Sequence, residues 1–437
     1  MRSYLKRTKG HAGYWACDRC VQKGVMINRT MTLTNVSAPL RKDDDFLSYH
    51  VNDFSQDEHI PDPKDISPFV KINFNMVSGF VIDSMHTVFE GAFSSRLQGL
   101  AFHPLEGKLT PRKLAQVEER ISYFKYCKPY EFDRCVGKFC KVKNYKIHVL
   151  RQFLYYYLFP VFHGILDDDV LEHIMLLQES MLLMGAFDRK PVAQSRLSKA
   201  EQALKNYSVE LLERNIPCRF TSHQIIHTPK DPLTFECGIE QVSCWVYENF
   251  QPFFTRIIRH GNLVAEQIRN RCIEKSKYQL PASSSGTIIS NKVELLLESK
   301  KRKRDGLVMF HNKGEKWPQK MIFSDLELSN EFPNNVCLLK DGCVIVCDSF
   351  LDTDNLSSSK IIGRKFLLVE PAFSRPFKSL DHRISIASQL NKLSDQWRLS
   401  DIVAKMYPLP MNPCSVPRLQ NETQKWFLSP IFHTLKI

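Results

Sequence analysis

The hydrophobic period of this 437-residue chain changes once along its length, and that change bounds the fold. Between about Thr110 and Arg214 apolar residues recur every three or four positions. Beyond Leu307 short apolar runs separated by turn residues take over. Helical and strand periods segregated in this way describe an α+β chain. In the helical part, Pro111 after Thr110 fits the first position of a helix. The segment Tyr145–Phe162 carries Phe153, Tyr155, Tyr156, Tyr157, Phe159 and Phe162. Such aromatics can stack on single-stranded nucleic acid, but a stripe at helical spacing reads first as core. Val170–Phe187 continues as an apolar helix, and Ser198–Asn215 as an amphipathic one with Leu204, Tyr207, Leu211 and Leu212 inward.

In the C-terminal part, strands are expected at Leu307–Phe310, Met321–Phe323, Val336–Leu339, Val344–Val346 and Lys365–Val369. Lys340-Asp341-Gly342 is a hairpin turn, and a helix is expected from Arg383 to Trp397. Between the two parts lies a linker, 281–306. It ends in Lys300, Lys301, Arg302, Lys303 and Arg304, which read as a nuclear-localisation or phosphate-contact patch, or as a solvated basic loop.

The net charge of +13 and a sequence pI near 9.1 favour a polyanionic partner such as nucleic acid. No apolar run is long enough for a membrane span, and the first residues lack the apolar stretch of a secretory signal. Thirteen cysteines in such a chain read as reduced thiols of an intracellular protein. Cys17 and Cys20 have the spacing of half a structural zinc site, or are two buried thiols. Asp43-Asp44-Asp45 reads as a solvated loop. Asp83 suits the N-cap of a helix buried through Met85, Phe89, Phe93, Leu97 and Leu100, with His86 in its first turn. His223 and His227 fall on one helical face, where they grip a metal or merely mark a helix end. A further helix from Cys244 carries Val246, Phe250, Phe253, Phe254, Ile257 and Ile258 on one face, and Pro252 counts against its being unbroken. Glu248 sits there among aromatics, before a basic rim of Arg256, Arg259, His260, Arg269 and Arg271. It is a surface carboxylate or a metal ligand beside a phosphate backbone. No glycine-rich phosphate loop, Ser-His-Asp elbow or internal repeat is present.

Taken in order, these landmarks resemble the DDE transposases of the CACTA (EnSpm) type and their transposon-derived relatives. Lys9–Cys20 resembles their KGHxGYxxCxxC segment and Phe80–Gly91 their FPLDxMHxxxxG segment. Ser222–Asn249, here SHQIIHTPKDPLTFECGIEQVSCWVYEN, resembles xHxxxHLxxDxxxFGxLxxxSxFxFEN. The similarity runs from about residue 6 to 275 and more loosely to the end. It implies an RNase H-like core interrupted by an all-α insertion, with three acids holding two metal ions that cut and join DNA. It places the last acid on Glu248, a split structural Zn2+ site on Cys17, Cys20, His223 and His227, and a core-holding role on Asp83 and His86. Two departures matter. The family's first two catalytic Asp residues lie upstream of the Cys pair, where this chain has sixteen residues and none acidic. The chain therefore reads as N-terminally truncated, with Mg2+ or Mn2+ expected only if the catalytic site is completed. Thr228-Pro229 also replaces the usual Leu, which shortens the histidine helix.

The resulting expectation is an incomplete RNase H-like remnant and zinc region (1–105), an all-α insertion (106–220), the histidine segment and Glu248 helix (221–280), the basic linker (281–306) and a small separate β-rich domain (307–437). The expected function is that of a transposase-derived, catalytically incomplete DNA-binding protein of the nucleus. Arg256, Arg259, Arg269, Arg271 and Lys300–Arg304 are the candidate DNA contacts, no membrane is involved, and homo-oligomer formation is left open. The alternative is a non-enzymatic zinc-braced module that holds DNA or protein.

Overall fold

The structure, a computed structural model, describes residues 2–27, 29–48, 59–60, 65, 67–188, 190–278, 300–304, 307–311, 320–323, 326–351, 359–412, 419 and 424–434. Short elements open the chain: α1 (Arg2–Lys6), the antiparallel hairpin of β1 (Val25–Ile27) and β2 (Thr30–Thr32), and α2 (Asp43–Ser48). The acidic run expected in a loop thus begins a helix. The half-buried Asp43 carboxylate accepts from the amides of Val77 and Ser78 and from the Ser78 hydroxyl, so it anchors α2, while Asp44 is exposed. Among the described residues before 105, this hairpin is the one sheet.

A long helix begins at Asp83, whose carboxylate accepts from the amides of Met85 (3.3 Å) and His86 (3.1 Å), as an N-cap does. Its first turns, Met85–Phe93, are π-helical and continue into α3 (Ser94–Phe102). Met85, Phe89, Phe93, Leu97 and Leu100 are all buried, as their spacing predicts. Next come α4 (Pro111–Phe124), capped by the Thr110 hydroxyl, and α5 (Ile147–Gln152), a π-helical turn at Phe153–Tyr157 and α6 (Leu158–Phe162). Every residue from Phe153 to Phe162 is buried, so the aromatic stripe is core and offers no stacking surface. Then follow α7 (Asp168–Leu183), α8 (Gln194–Glu213), α9 (Phe220–Gln224), α10 (Lys230–Thr234), α11 (Trp245–Ile257) and α12 (Val264–Tyr278). α11 runs through Pro252 as one helix. The side chains of Val246 and Phe250 lie outside the described residues.

The C-terminal part is antiparallel β-structure. β3 (Lys300–Arg304), β4 (Leu307–His311), β5 (Lys320–Phe323) and β6 (Leu326–Ser329) form a four-stranded sheet. The basic pentad, expected at the end of a linker, is therefore an edge strand paired with β4 from Lys300–His311 to Arg304–Leu307. Charge on an edge strand blocks further strand pairing. Residues 281–299, 305 and 306 of the expected linker lie outside the described residues.

β7 (Val336–Leu339), β8 (Val344–Leu351), β9 (Lys360–Pro371), β10 (Ser385–Leu390), β11 (Asp395–Arg398), β12 (Ile402–Pro410) and β13 (Trp426–Pro430) complete the chain. The β7–β8 turn is the expected one, with Gly342 in the left-handed region at φ 86°. Pairing runs β10–β13–β12–β7–β8–β9 and returns from β9 to β10, which closes a six-stranded barrel, with β11 added along β9. The helix expected over Arg383–Trp397 is absent. Ser385–Leu390 instead bridges β13 and β9, and the unpaired edges that it satisfies override its local preference.

The two-residue period sorts side chains between cores. All six ring strands contribute to the barrel interior, among them Val336, Val344, Phe366, Ala387, Met406 and Trp426. The alternate residues Tyr407, Leu409 and Phe427 point the other way and join the core of the helices. Tyr407 Oη lies 2.6 Å from Tyr157 Oη, and the Phe432 amide donates to Tyr156 Oη. The expected β-rich domain thus keeps an interior of its own, but it is not separate: part of its outer face is built into the core of the helices.

Between them the Lys405 ammonium of β12 is fully buried. It donates to both oxygens of Glu131 (3.0 and 2.9 Å), to Asn334 Oδ1 (2.7 Å) and to the Glu327 carbonyl (2.8 Å). Burial lowers its pKa, and Glu131 works against that. Replacing Glu131 by Ala strands this charge and is expected to cost about 3–5 kcal/mol in denaturant unfolding. The double substitution Glu131→Leu/Lys405→Met is expected to cost less than the single one.

Two histidines held below their usual range contribute to the acid response. His173 is held at a pKa of about 3 by burial. Its Nε2 donates to the Tyr207 carbonyl and its ring stacks on Tyr207. His382 is held at about 4 by burial and by Arg196. Between these values and 6.5 the unfolded chain binds protons that the folded one refuses, so stability is present above 6.5 and falls as pH drops. Thermal melts from pH 7 to 4.5 are expected to show this loss, and His173→Gln is expected to reduce it.

Candidate metal centre

Cys17 and Cys20 lie on the turn after α1, and the Arg19 amide donates to Cys17 Sγ at 3.4 Å. His223 belongs to α9, which tightens into a 3-10 turn at Ile225–His227. The α-helical winding therefore ends at Gln224, and the 3-10 turn that carries His227 closes with Thr228 Oγ1 donating to the Ile225 carbonyl. The two histidine rings still face each other, with Nε2 atoms 3.3 Å apart.

The four side chains converge. Cys17 Sγ lies 3.5 Å from His227 Nε2, and Cys20 Sγ 3.3 Å from His223 Nε2. All four donor atoms fall within 4.8 Å of one another. A tetrahedral zinc ion with ordinary bond lengths separates sulfur from nitrogen by about 3.5 Å and nitrogen from nitrogen by about 3.3 Å. The observed spacings fit an ion of that size without rearrangement. Cys17, Cys20, His223 and His227 are all buried, and together they offer the two sulfur and two nitrogen donors that a metal ion such as zinc takes. The Cys20 thiol is held below its usual value by a hydrogen bond from Cys17, and burial pushes Cys17 up. The Gln22 amide, bonded to both backbone groups of Asn35, lies against the His223 ring.

Charged residues hidden in the sequence reading hold this knot. Asp18, between the cysteines, meets Lys6 (3.1 Å), Arg2 and Gln224 Nε2 (3.0 Å). Burial would raise its pKa, but Lys6, Arg2 and Arg19 drive it well below the carboxylate range. Arg19 donates to Asp231 Oδ1 and to the Phe80 carbonyl, both at 2.7 Å, and Asp231 Oδ2 accepts the Ile82 amide at 2.7 Å. One sequence signal could have found Asp231: it follows His227 by four positions, as His227 follows His223.

Next to the Arg19–Asp231 pair lies a second group of site residues. Besides capping its own helix, Asp83 accepts the Cys244 amide (2.8 Å) at the start of α11. His86 Nδ1 is paired with Asp83 Oδ2, and its Nε2 lies 3.7 Å from Glu248 Oε1. The structure therefore joins Asp83, His86 and Glu248 at one place. Gly91 lets this helix meet α9, because a Cβ there would lie 2.8 Å from Thr221 Cβ. Arg256 on α11, Arg259 between the two helices and Arg269 on α12 are exposed, while Arg271 pairs with Glu274. The side chains of Lys300–Arg304 lie outside the described residues.

Comparison with known proteins adds one finding. A family model described as "Domain of unknown function (DUF8592)" matches residues 302–418. No curated protein and no solved structure matches the chain. The matched segment covers β4 to β12 and stops before β13; the Cys/His cluster and Glu248 lie outside it.

Purified chain is expected to carry about one zinc ion by mass spectrometry of the metal content. Cys17→Ser and His227→Ala are each expected to release it and to open residues before 42 to proteolysis. Retention of stoichiometric zinc by both variants would contradict the assignment.

Proposed function

We propose that this chain is a transposase-derived, zinc-braced protein that binds DNA in the nucleus and does not cut it. The convergence of Cys17, Cys20, His223 and His227 carries the reading, because the resemblance to CACTA-type transposases implies that pairing across a sequence separation of 203. In the same reading the elements around Asp83 and Glu248 are what this chain holds of an RNase H-like core, and α4 to α8 are its helical insertion. The zinc ion is structural. The DNA-facing surface is formed by α11, α12 and the connection between them, with Arg256, Arg259 and Arg269 exposed and a chain charge of +13 behind it.

The absence of cleavage follows from the acids. Two-metal chemistry needs carboxylates free to grip both ions. Glu248 has the His86 imidazole 3.7 Å away and stays exposed, but the Asp83 carboxylate is spent on three amides and on His86. The same observation favours a binding module over an enzyme as the present role.

If about four phosphates are neutralised, affinity for double-stranded DNA should fall about a hundredfold between about 50 and 200 mM salt. Arg256→Gln/Arg259→Gln should lower the salt slope by about 2. Supercoiled plasmid with Mg2+ or Mn2+ should stay intact. Nicking that disappears in Glu248→Gln would overturn the non-cutting reading, and salt-independent binding would overturn the DNA-binding one.

A further inference from the structure

We propose that the cavity bounded by α3, α4, the start of α7 and the end of α8 binds a small phosphate monoester, held by Arg96 and Lys108. Neither the transposase reading nor the zinc centre enters into this.

The cavity has a volume of about 270 Å³. Sites for drug-sized ligands usually measure about 300–1,000 Å³, so its occupant is small. Leu109, Leu166 and Ile216, all buried, form apolar walls. Four cations, Arg96, Lys108, Lys113 and Arg214, and two acids, Glu106 and Asp167, also line it.

Most of these charges are already paired. Glu106 Oε1 is taken by Arg219 at 2.8 Å, and Asp167 by Lys113 at 3.3 Å. Arg214 pairs with Asp169 at 2.9 Å and more loosely with Glu210 at 3.8 Å. Among the described residues, Arg96 and Lys108 are left with no carboxylate at ion-pairing distance.

Arg96 is 3% exposed, and a charge so buried is ordinarily paired. Among the described residues its one hydrogen bond runs from Nη1 to the Glu106 carbonyl, at 2.6 Å. Its Nε is buried without a partner. Gly107 turns the chain past the other end of the guanidinium at φ 84°, and a Cβ there would lie 4.0 Å from Nη2. With no side chain at 107, that end stays clear. Burial lowers the Arg96 pKa, and the nearby Arg214 adds to this, yet a guanidinium stays charged. A cation short of hydrogen-bond acceptors therefore stands at the cavity.

The charge left over selects the ligand. Two uncompensated cations match a phosphate monoester, which carries about −1.5 to −2 at pH 7 and three strong acceptor oxygens. A monocarboxylate or a phosphodiester brings a single negative charge. The guanidinium fork suits two phosphate oxygens, and the exposed Lys108 ammonium suits another. Thr110, the cap of the fourteen-residue α4, lines the same cavity, so the positive end of that helix adds to the field. The apolar walls suit a short carbon stem on the ester.

The test titrates the full chain, its metal content measured, with methyl phosphate in a calorimeter, and in parallel with dimethyl phosphate and acetate. One methyl phosphate is expected per chain, bound at least about tenfold more tightly than either control. Lys108→Gln, at an exposed position, should weaken it about tenfold and leave the ligand-free melting temperature unchanged. Arg96→Met should abolish binding, and methyl phosphate should raise the melting temperature of the parent but not of this variant. If Arg96→Met fails to fold, Lys108→Gln alone decides. Arg256→Gln/Arg259→Gln should bind methyl phosphate as the parent does, which separates this site from the DNA-facing surface. No binding by the parent, equal binding of acetate, or unchanged binding by Lys108→Gln would overturn the proposal. A 5′-phosphorylated oligonucleotide that competes better than methyl phosphate would overturn the small-molecule source.

Discussion

The contact between the Cys17–Cys20 turn and the two histidines closes a span of 203 residues, and the first half of the chain is arranged around that closure. Chain-entropy scaling puts the cost of such a closure at about 5 kcal/mol. The N-terminal elements cannot meet it alone. α1 has five residues, β1 and β2 have three each, and the apolar cluster around Cys17 and Cys20 adds only Ala38. The zinc ion proposed for the four side chains would offset that closure, since such ions supply about 10–16 kcal/mol of binding free energy in small zinc modules. Buried polar contacts then specify how the turn sits: Asp18 with Lys6 and Gln224, and Arg41 on the Cys17 carbonyl.

From this knot the geometry passes to the exposed group in a few bonded steps. Arg19, flanked by the cysteines, holds Asp231 and the Phe80 carbonyl. Asp231 holds the Ile82 amide, one residue before Asp83. Asp83 then caps two helices and sets the His86 ring. Each step is a buried or half-buried charge with fixed partners, so none can shift without leaving an unpaired group in low dielectric. The position of Glu248 relative to His86 thus depends on residues more than two hundred positions earlier.

Local signals in the sequence were reliable where one element decides its own conformation. The Asp83 cap, the Met85–Leu100 face, the Thr110-Pro111 start and the Gly342 turn are of this kind. The Cys and His pairs were visible as spacings, but their union was visible only through the resemblance, since no local pattern links residues 17 and 227. The failures are tertiary. Ser385–Leu390 lacks a strong strand composition and becomes a strand because β9 and β13 each need a neighbour. The basic pentad reads as a loop because its charges hide its pairing with β4. The barrel's contribution to the helical core was missed because Tyr407 and Phe427 show only that they are buried, not which core buries them.

The ring of six strands has a consequence for how this part of the protein can be inherited or transplanted. The stretch recognisable by family likeness ends at residue 418, whereas the strand that completes the ring begins at Trp426. A module excised at the recognisable boundary would carry β10 and β12 with their inner edges bare, and bare edges recruit foreign strands. It would also lose Trp426 and Leu428 from its interior and would turn Tyr407 and Leu409 out to water in the absence of the helices. The unit of likeness and the unit of folding therefore differ here. The β-structure is portable only together with its last strand and with the helical surface against which its outer face is built.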